Sequence, residues 1–155
     1  MRGFEKVSIQ EYGRHRPREE HERIMLPKRA TRSSAGYDFY LPHDVRLAPG
    51  EGTVIAMGIK AYMKEDEVLF LIIRSSLGFR GLRLKNQVGI IDADYYDNPK
   101  NEGHILVAIE NNSKETIELK AGERIVQGIF LKFGISEKEE EPPWERSGGI
   151  GSTEN

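Results

Sequence analysis

The stretch GYDFYLPHDVRLAPGEGTVIAM, residues 36–57, decides the fold class. Two runs of strand length, Tyr37–Tyr40 and 52–57, are held apart by Pro42, Asp44 and the pair Pro49-Gly50. Pro and Gly favour the dihedrals of turns over those of a paired strand, so the segment reads as strand, turn, strand. The grammar continues outward. Residues 68–73 and 105–109 are further apolar runs, and Ala121-Gly122 marks a turn before a strand over 124–133. Helical periodicity is scarce, which predicts an all-β barrel or sandwich. Toward the N-terminus, residues 2–9 alternate loosely and read as a short strand. Residues 10–23 are dense in Arg, Glu and His, as expected of a solvated loop or a short helical excursion without a catalytic role. Beyond Phe133 the chain turns acidic and ends in Pro142-Pro143, which suits an extended arm, and its glycine-rich tail over 148–155 reads by composition as a frayed end. The expected division is a β-domain over 1–135 and an arm over 136–155.

Composition narrows the function. A chain of 155 residues is the size of one domain, and 23 basic against 25 acidic side chains produce no overall field that would recruit nucleic acid or an anionic membrane. An anionic ligand must be met locally. There is no cysteine, which excludes disulfides and thiolate metal sites and fits a cytoplasmic setting. No run approaches the roughly 20 apolar residues of a membrane helix. The four histidines lack the spacing of a metal cluster, so surface placement is expected and no protein metal ligand is proposed.

Five short stretches carry the chemistry. In Ala35-Gly36-Tyr37-Asp38-Phe39 an acidic residue enters a strand, where it could equally end a turn. Arg74-Ser75-Ser76-Leu77-Gly78 follows an apolar strand; Arg offers a planar fork of donors to phosphate and the hydroxyls add neutral ones, although a plain polar turn has the same composition. The third stretch, Asn86 to Tyr95, is the most informative. Asp92 and Asp94 would project from one side of an extended chain directly after apolar shielding, and a shielded carboxylate can deprotonate a water. Tyr95 has a flat face that could pack on a sugar ring; the alternatives are a turn cap and an ordinary barrel tyrosine. In the fourth, Arg124 and Gln127 interrupt an apolar strand, and a buried amide needs a partner, be it phosphate, water or backbone. The fifth, Arg146-Ser147-Gly148-Gly149-Ile150-Gly151-Ser152-Thr153, lets backbone amides approach an anion but lacks a P-loop ending.

In order and spacing these stretches resemble the five motifs of the trimeric dUTPases, over residues 35–153. The resemblance implies a β jelly roll of the β-clip kind with an extended C-terminal arm, a homotrimer, and sites assembled between subunits. It implies Mg²⁺-assisted hydrolysis of dUTP to dUMP and pyrophosphate, which limits uracil incorporation into DNA and supplies dUMP for thymidylate synthesis. Matched residue by residue, Asp92 is the expected base and Tyr95 the residue under the deoxyribose. Asn86, Gly89 and Ile91 match the hairpin that reads uracil. Arg74, Ser75, Ser76 and Gln127 match phosphate-binding groups, while Arg146, Ile150, Gly151, Ser152 and Thr153 match the arm that closes over the site. Asp38, Asp94 and Arg124 match supporting groups. Magnesium is expected on phosphate oxygens and waters rather than in a protein cage.

Two departures stand out. Ile150 occupies the position where the family usually has Phe, and residues 97–103 lengthen the turn after Tyr95, which predicts an extended surface loop. The nearest rival is a dCTP deaminase, which shares the Arg-Ser-Ser stretch, but its essential glutamate would fall at Ala108. A different class of reading is a nucleotide-sensing binding protein that holds a regulatory partner through residues 10–23 or 97–103.

Overall fold

The computed structural model describes residues 1–140. Twelve strands form a jelly roll: β1 (Gly3–Lys6), β2 (Lys28–Arg29), β3 (Tyr37–Tyr40), β4 (Val45–Leu47), β5 (Gly52–Ala56), β6 (Ile59–Tyr62), β7 (Glu67–Ile73), β8 (Leu82–Leu84), β9 (Gly89–Asp92), β10 (Leu106–Asn111), β11 (Ile117–Leu119) and β12 (Arg124–Lys132). Short helical turns interrupt them: α1 (Ile9–Tyr12), α2 (Ser75–Phe79), and 3-10 turns at Arg18–Arg23 and Ala93–Tyr95. No helix among the described residues is long and apolar enough to cross a membrane.

Side-chain alternation builds the sheets. The strand β10, sequence LVAIEN, buries every second residue, and β4, β8 and β11 each bury their first and third, so each turns one face to a shared core. The main sheet runs β2-β3-β12-β7-β9, a second runs β5-β10-β8, and β1-β6 and β4-β11 complete the wall, all antiparallel. Phe39, Leu69, Ile105, Ile109 and Ile125 meet at its centre with no more than 0% exposure. Each such side chain stabilises the fold by about 2 kcal/mol relative to exposure.

The N-terminal region takes the short helical alternative, as α1 and the Arg18–Arg23 turn, and differs from expectation in its strand length and burial. The strand ends at Lys6, and Ser8 caps α1 by accepting the Glu11 amide at 3.1 Å. Residues 10–23 are not merely solvated: Tyr12 is fully buried and Glu11 nearly so. Their apolar partners, Val7 and Ile24, lie just outside the polar run, which is why the run looked unanchored when read alone.

Candidate active site

A hairpin frames the cleft. Between β8 and β9 the chain turns tightly, with the Gln87 amide donating to the Leu84 carbonyl at 3.0 Å and the Val88 amide to Asn86 at 2.7 Å. Gln87 takes φ 64 to make the turn. The strand β9 then pairs with β7 and forms the edge of the main sheet. At Gly89 an added Cβ would lie 3.1 Å from Leu71 Cβ, so the missing side chain lets β9 lie close upon β7. An edge strand presents one row of backbone N–H and C=O groups to whatever lies beside it. Here that row borders a cleft of about 180 Å³ lined by Leu71, Asn86, Gly89, Ile90, Ile91, Asp92, Tyr95 and Leu106.

The cleft gathers Asn86, Gly89, Ile91, Asp92 and Tyr95 from the sequence reading, with Ile90 between them, and adds Leu71 and Leu106, whose apolar identity had marked them only as strand residues. Asp94 corrects that reading. The chain is not extended after Asp92 but enters the 3-10 turn Ala93–Tyr95, which rotates each residue about 120°. Asp92 is half-buried and shared between the cleft and a neighbouring hollow of about 480 Å³ with Met63, Glu65 and Phe133, whereas Asp94 is exposed and borders only the hollow.

A second group gathers around Asp38. Its buried carboxylate takes Arg74 Nε on one oxygen at 2.9 Å and Arg124 Nη1 on the other at 3.1 Å. Gln127 stands opposite Asp38 on one side and Ile72 on the other, and Ser75 and Ser76 are exposed at the start of α2. Asp38 thus orients two guanidinium groups beside a pair of hydroxyls. Asp92 and Arg74 are far apart within one chain. Asp92 pairs with Val68, and Arg74 lies six positions further along β7, about 20 Å away at about 3.3 Å per residue. Arg146, Ile150, Gly151, Ser152 and Thr153 lie outside the described residues.

His104 corrects another expectation. His104 is fully buried, and its ring meets Glu11 and His15 with their ligand atoms within 4.8 Å of one another. The hydrogen bonds oppose a metal there. Gly58 N–H donates to His104 Nε2 at 2.9 Å, which places the ring proton on Nδ1, where it is donated to Glu11 Oε1 at 3.1 Å. Both ring nitrogens are spent. Burial holds the His104 pKa below its usual 6.5 despite the pull of Glu11. A larger hollow of about 540 Å³, between the Arg18–Arg23 turn and the turns at 40–44 and 121–122, contains none of the expected site residues, and its Arg16 and Glu20 pair with each other at 2.7 Å.

The 97–103 segment is also more than a surface loop. Asn98 is 5% exposed, Glu102 accepts the Ser8 amide at 2.8 Å, and Arg14 Nη1 donates to the Lys100 carbonyl at 2.7 Å. The two segments assigned to a regulatory partner in the nucleotide-sensing reading are therefore joined to each other by the Arg14–Lys100 hydrogen bond.

Fold and cleft together define an all-β jelly-roll scaffold with a cleft at the exposed edge of its main sheet. The dUTPase family model matches residues 22–153. Over 155 residues the chain is 43% identical to the deoxyuridine 5′-triphosphate nucleotidohydrolase of Lactococcus lactis, covering 99% of this chain and 97% of the relative. The dUTPase crystal structure from Streptococcus mutans superposes with a TM-score of 0.72 at 41% identity, over 88% of this chain and 99% of that one. The dUTPase of Staphylococcus aureus phage phi11 shares the fold at 20% identity, with a TM-score of 0.69 over 94% and 98% of the two chains. The chain belongs to the dUTPase family, and it is a nucleotide hydrolase.

Proposed function

We propose that this chain hydrolyses dUTP to dUMP and pyrophosphate, with Asp92 as the base. The observation that carries the reading is the cleft that gathers Asn86, Gly89, Ile91, Asp92 and Tyr95 at the free edge of β9. A uracil edge offers alternating acceptors and a donor, which the backbone row of β9 and the Asn86 amide complement. Tyr95 supplies the floor beneath the sugar. Asp92 takes a proton from a water as its oxygen attacks the α-phosphorus, the bond to the bridging oxygen of the β-phosphate breaks, and pyrophosphate leaves in line.

The phosphates require cations and donors, which Arg74, Ser75, Ser76 and Gln127 provide. The distance from Arg74 to Asp92 within one chain, about 20 Å along β7, supports a site completed by a neighbouring subunit of a homotrimer. The arm over 136–155, with Arg146, Ile150, Gly151, Ser152 and Thr153, closes over it in the same reading.

Magnesium fits this site as a substrate-borne ion. Such an ion would be held by phosphate oxygens and waters. When bound, it neutralises the triphosphate and lowers the charge barrier to attack.

Pyrophosphate release from dUTP, dTTP, dCTP and UTP with Mg²⁺ tests the reading. Turnover selective for dUTP and lost in Asp92→Asn is expected; an intact protein that leaves dUTP untouched sinks the proposal.

A further inference from the structure

The structure assigns Asn101, with Asn98 behind it, as a positioning residue for Tyr95, so that the 97–103 loop sets how strictly the cleft refuses a ribose. This rests on the reading of the cleft as a deoxynucleotide site.

Tyr95 lines the cleft yet is only 7% exposed, because its hydroxyl reaches back into the loop. That hydroxyl donates to the His104 carbonyl at 2.8 Å and accepts from Asn101 Nδ2 at 2.8 Å. A hydroxyl with both roles committed has a fixed direction, and the ring attached to it has lost its freedom to swing. The Asn101 amide is itself locked. Its Oδ1 accepts from Asn98 Nδ2 at 2.7 Å and from the Gly103 amide at 3.2 Å. Asn98 Nδ2 also donates to the Tyr95 carbonyl at 2.7 Å, so the two asparagines hold the tyrosine at its backbone and at its far end. Gly103, at φ 79, completes the packing: an added Cβ would lie 2.6 Å from the Tyr95 carbonyl oxygen.

The clamp has a foundation of its own. The His104 ring is pinned between the Gly58 amide and Glu11, and Glu102 accepts the Ser8 amide, so the loop is tied to α1 and β6 rather than to the β8–β9 hairpin. A sugar floor discriminates by steric contact, which works only if the ring cannot retreat to make room for a 2′-hydroxyl. Site geometry must hold within about 0.5 Å for such discrimination.

Tyr95→Phe and Asn101→Leu, singly and together in the full chain, test the assignment through steady-state kinetics on dUTP and UTP with Mg²⁺. Either single change is expected to raise KM for dUTP about threefold to tenfold with kcat held within about twofold, as for a weakened clamp on the sugar floor. The preference for dUTP over UTP, taken as a ratio of kcat/KM, is expected to fall about tenfold, and the double variant to lose less than the product of the singles, since both break the Asn101–Tyr95 bond. A preference unchanged in Tyr95→Phe overturns the assignment, as does an equal loss of kcat on both substrates or a double variant whose loss multiplies the singles. If Asn101→Leu does not fold, Tyr95→Phe, which removes one oxygen, decides alone. Failure of the unaltered chain to turn over dUTP strikes the functional reading instead.

Discussion

The Glu11–His104 cluster and the Asp92 cleft have nearly the same ingredients, a carboxylate with aromatic or polar neighbours, and opposite fates. His104 is fully buried, Glu11 is 4% exposed, and every nitrogen of the imidazole is consumed by a hydrogen bond within the protein. Asp92 stands half-buried at the end of an edge strand and faces two hollows. A closed polar network stabilises and orients, while a carboxylate at an open edge can act on something that arrives. Composition does not separate the two. Accessibility does.

The contrast is sharpest at Asp92. Replacing it with Asn is expected to lower kcat by about 10²- to 10⁴-fold, as for loss of a general base, with a thermal midpoint shifted little because the group is not part of the core. Pyrophosphate release together with a melt checks both halves; a large loss of stability would place Asp92 in the scaffold beside Glu11.

A second experiment asks whether the open half is complete in one chain. Asp92→Asn and Arg74→Ala chains, each inactive alone, are expected to recover part of the activity when unfolded and refolded together, because mixed assemblies contain sites with both native groups. Recovery no greater than the sum of the separate samples would mean that the cleft and the arginine group do not serve one site.

At the closed network the effect falls on stability. His104→Ala leaves a cavity, an unpaired Gly58 amide and a buried Glu11 short of one of its donors. The expected cost is about 3 kcal/mol, or roughly 10 °C in Tm. Calorimetric or circular-dichroism melts check it, and a loss under about 1 kcal/mol would show the network to be incidental.

The smallest effects are those of pH. Burial lowers the folded pKa of His104 beneath its ordinary 6.5, so below that value the unfolded chain binds a proton that the folded chain does not. Its contribution is full above 6.5 and declines as pH falls toward the folded value. Glu67 is held down to about 2, chiefly by its hydrogen bond from Arg2, so its contribution is present above 4.5 and lost between 4.5 and about 2. Melts between about pH 8 and pH 3 are expected to show two successive declines, of which His104→Gln removes only the first.

Much of this was legible in the residues. The strands flanking Pro49-Gly50 and Ala121-Gly122 formed where turn chemistry placed them, as β4–β5 and β11–β12, because Pro and Gly act locally. Asn86, Gly89, Ile91, Asp92 and Tyr95 are contiguous enough that any hairpin would bring them together. Asp94 was misread because period-2 reasoning assumes that a strand continues, and a single 3-10 turn cancels it. Asn98 and Asn101 passed as turn residues, for Asn in a polar loop has no local mark that distinguishes a clamp from a bend.

By itself, then, the sequence determined the all-β class, the turn positions and the short-range grouping of the cleft, since each depends on neighbours within a few residues. Only the tertiary structure decided that His104 lies in the core on Glu11, that Asp38 joins Arg74 to Arg124, and that Asp92 and Arg74 stand at opposite ends of β7. Those relations depend on which strands pair and in what register. Pairing is chosen by the burial of whole faces across the sheet, a quantity that no short window of residues contains.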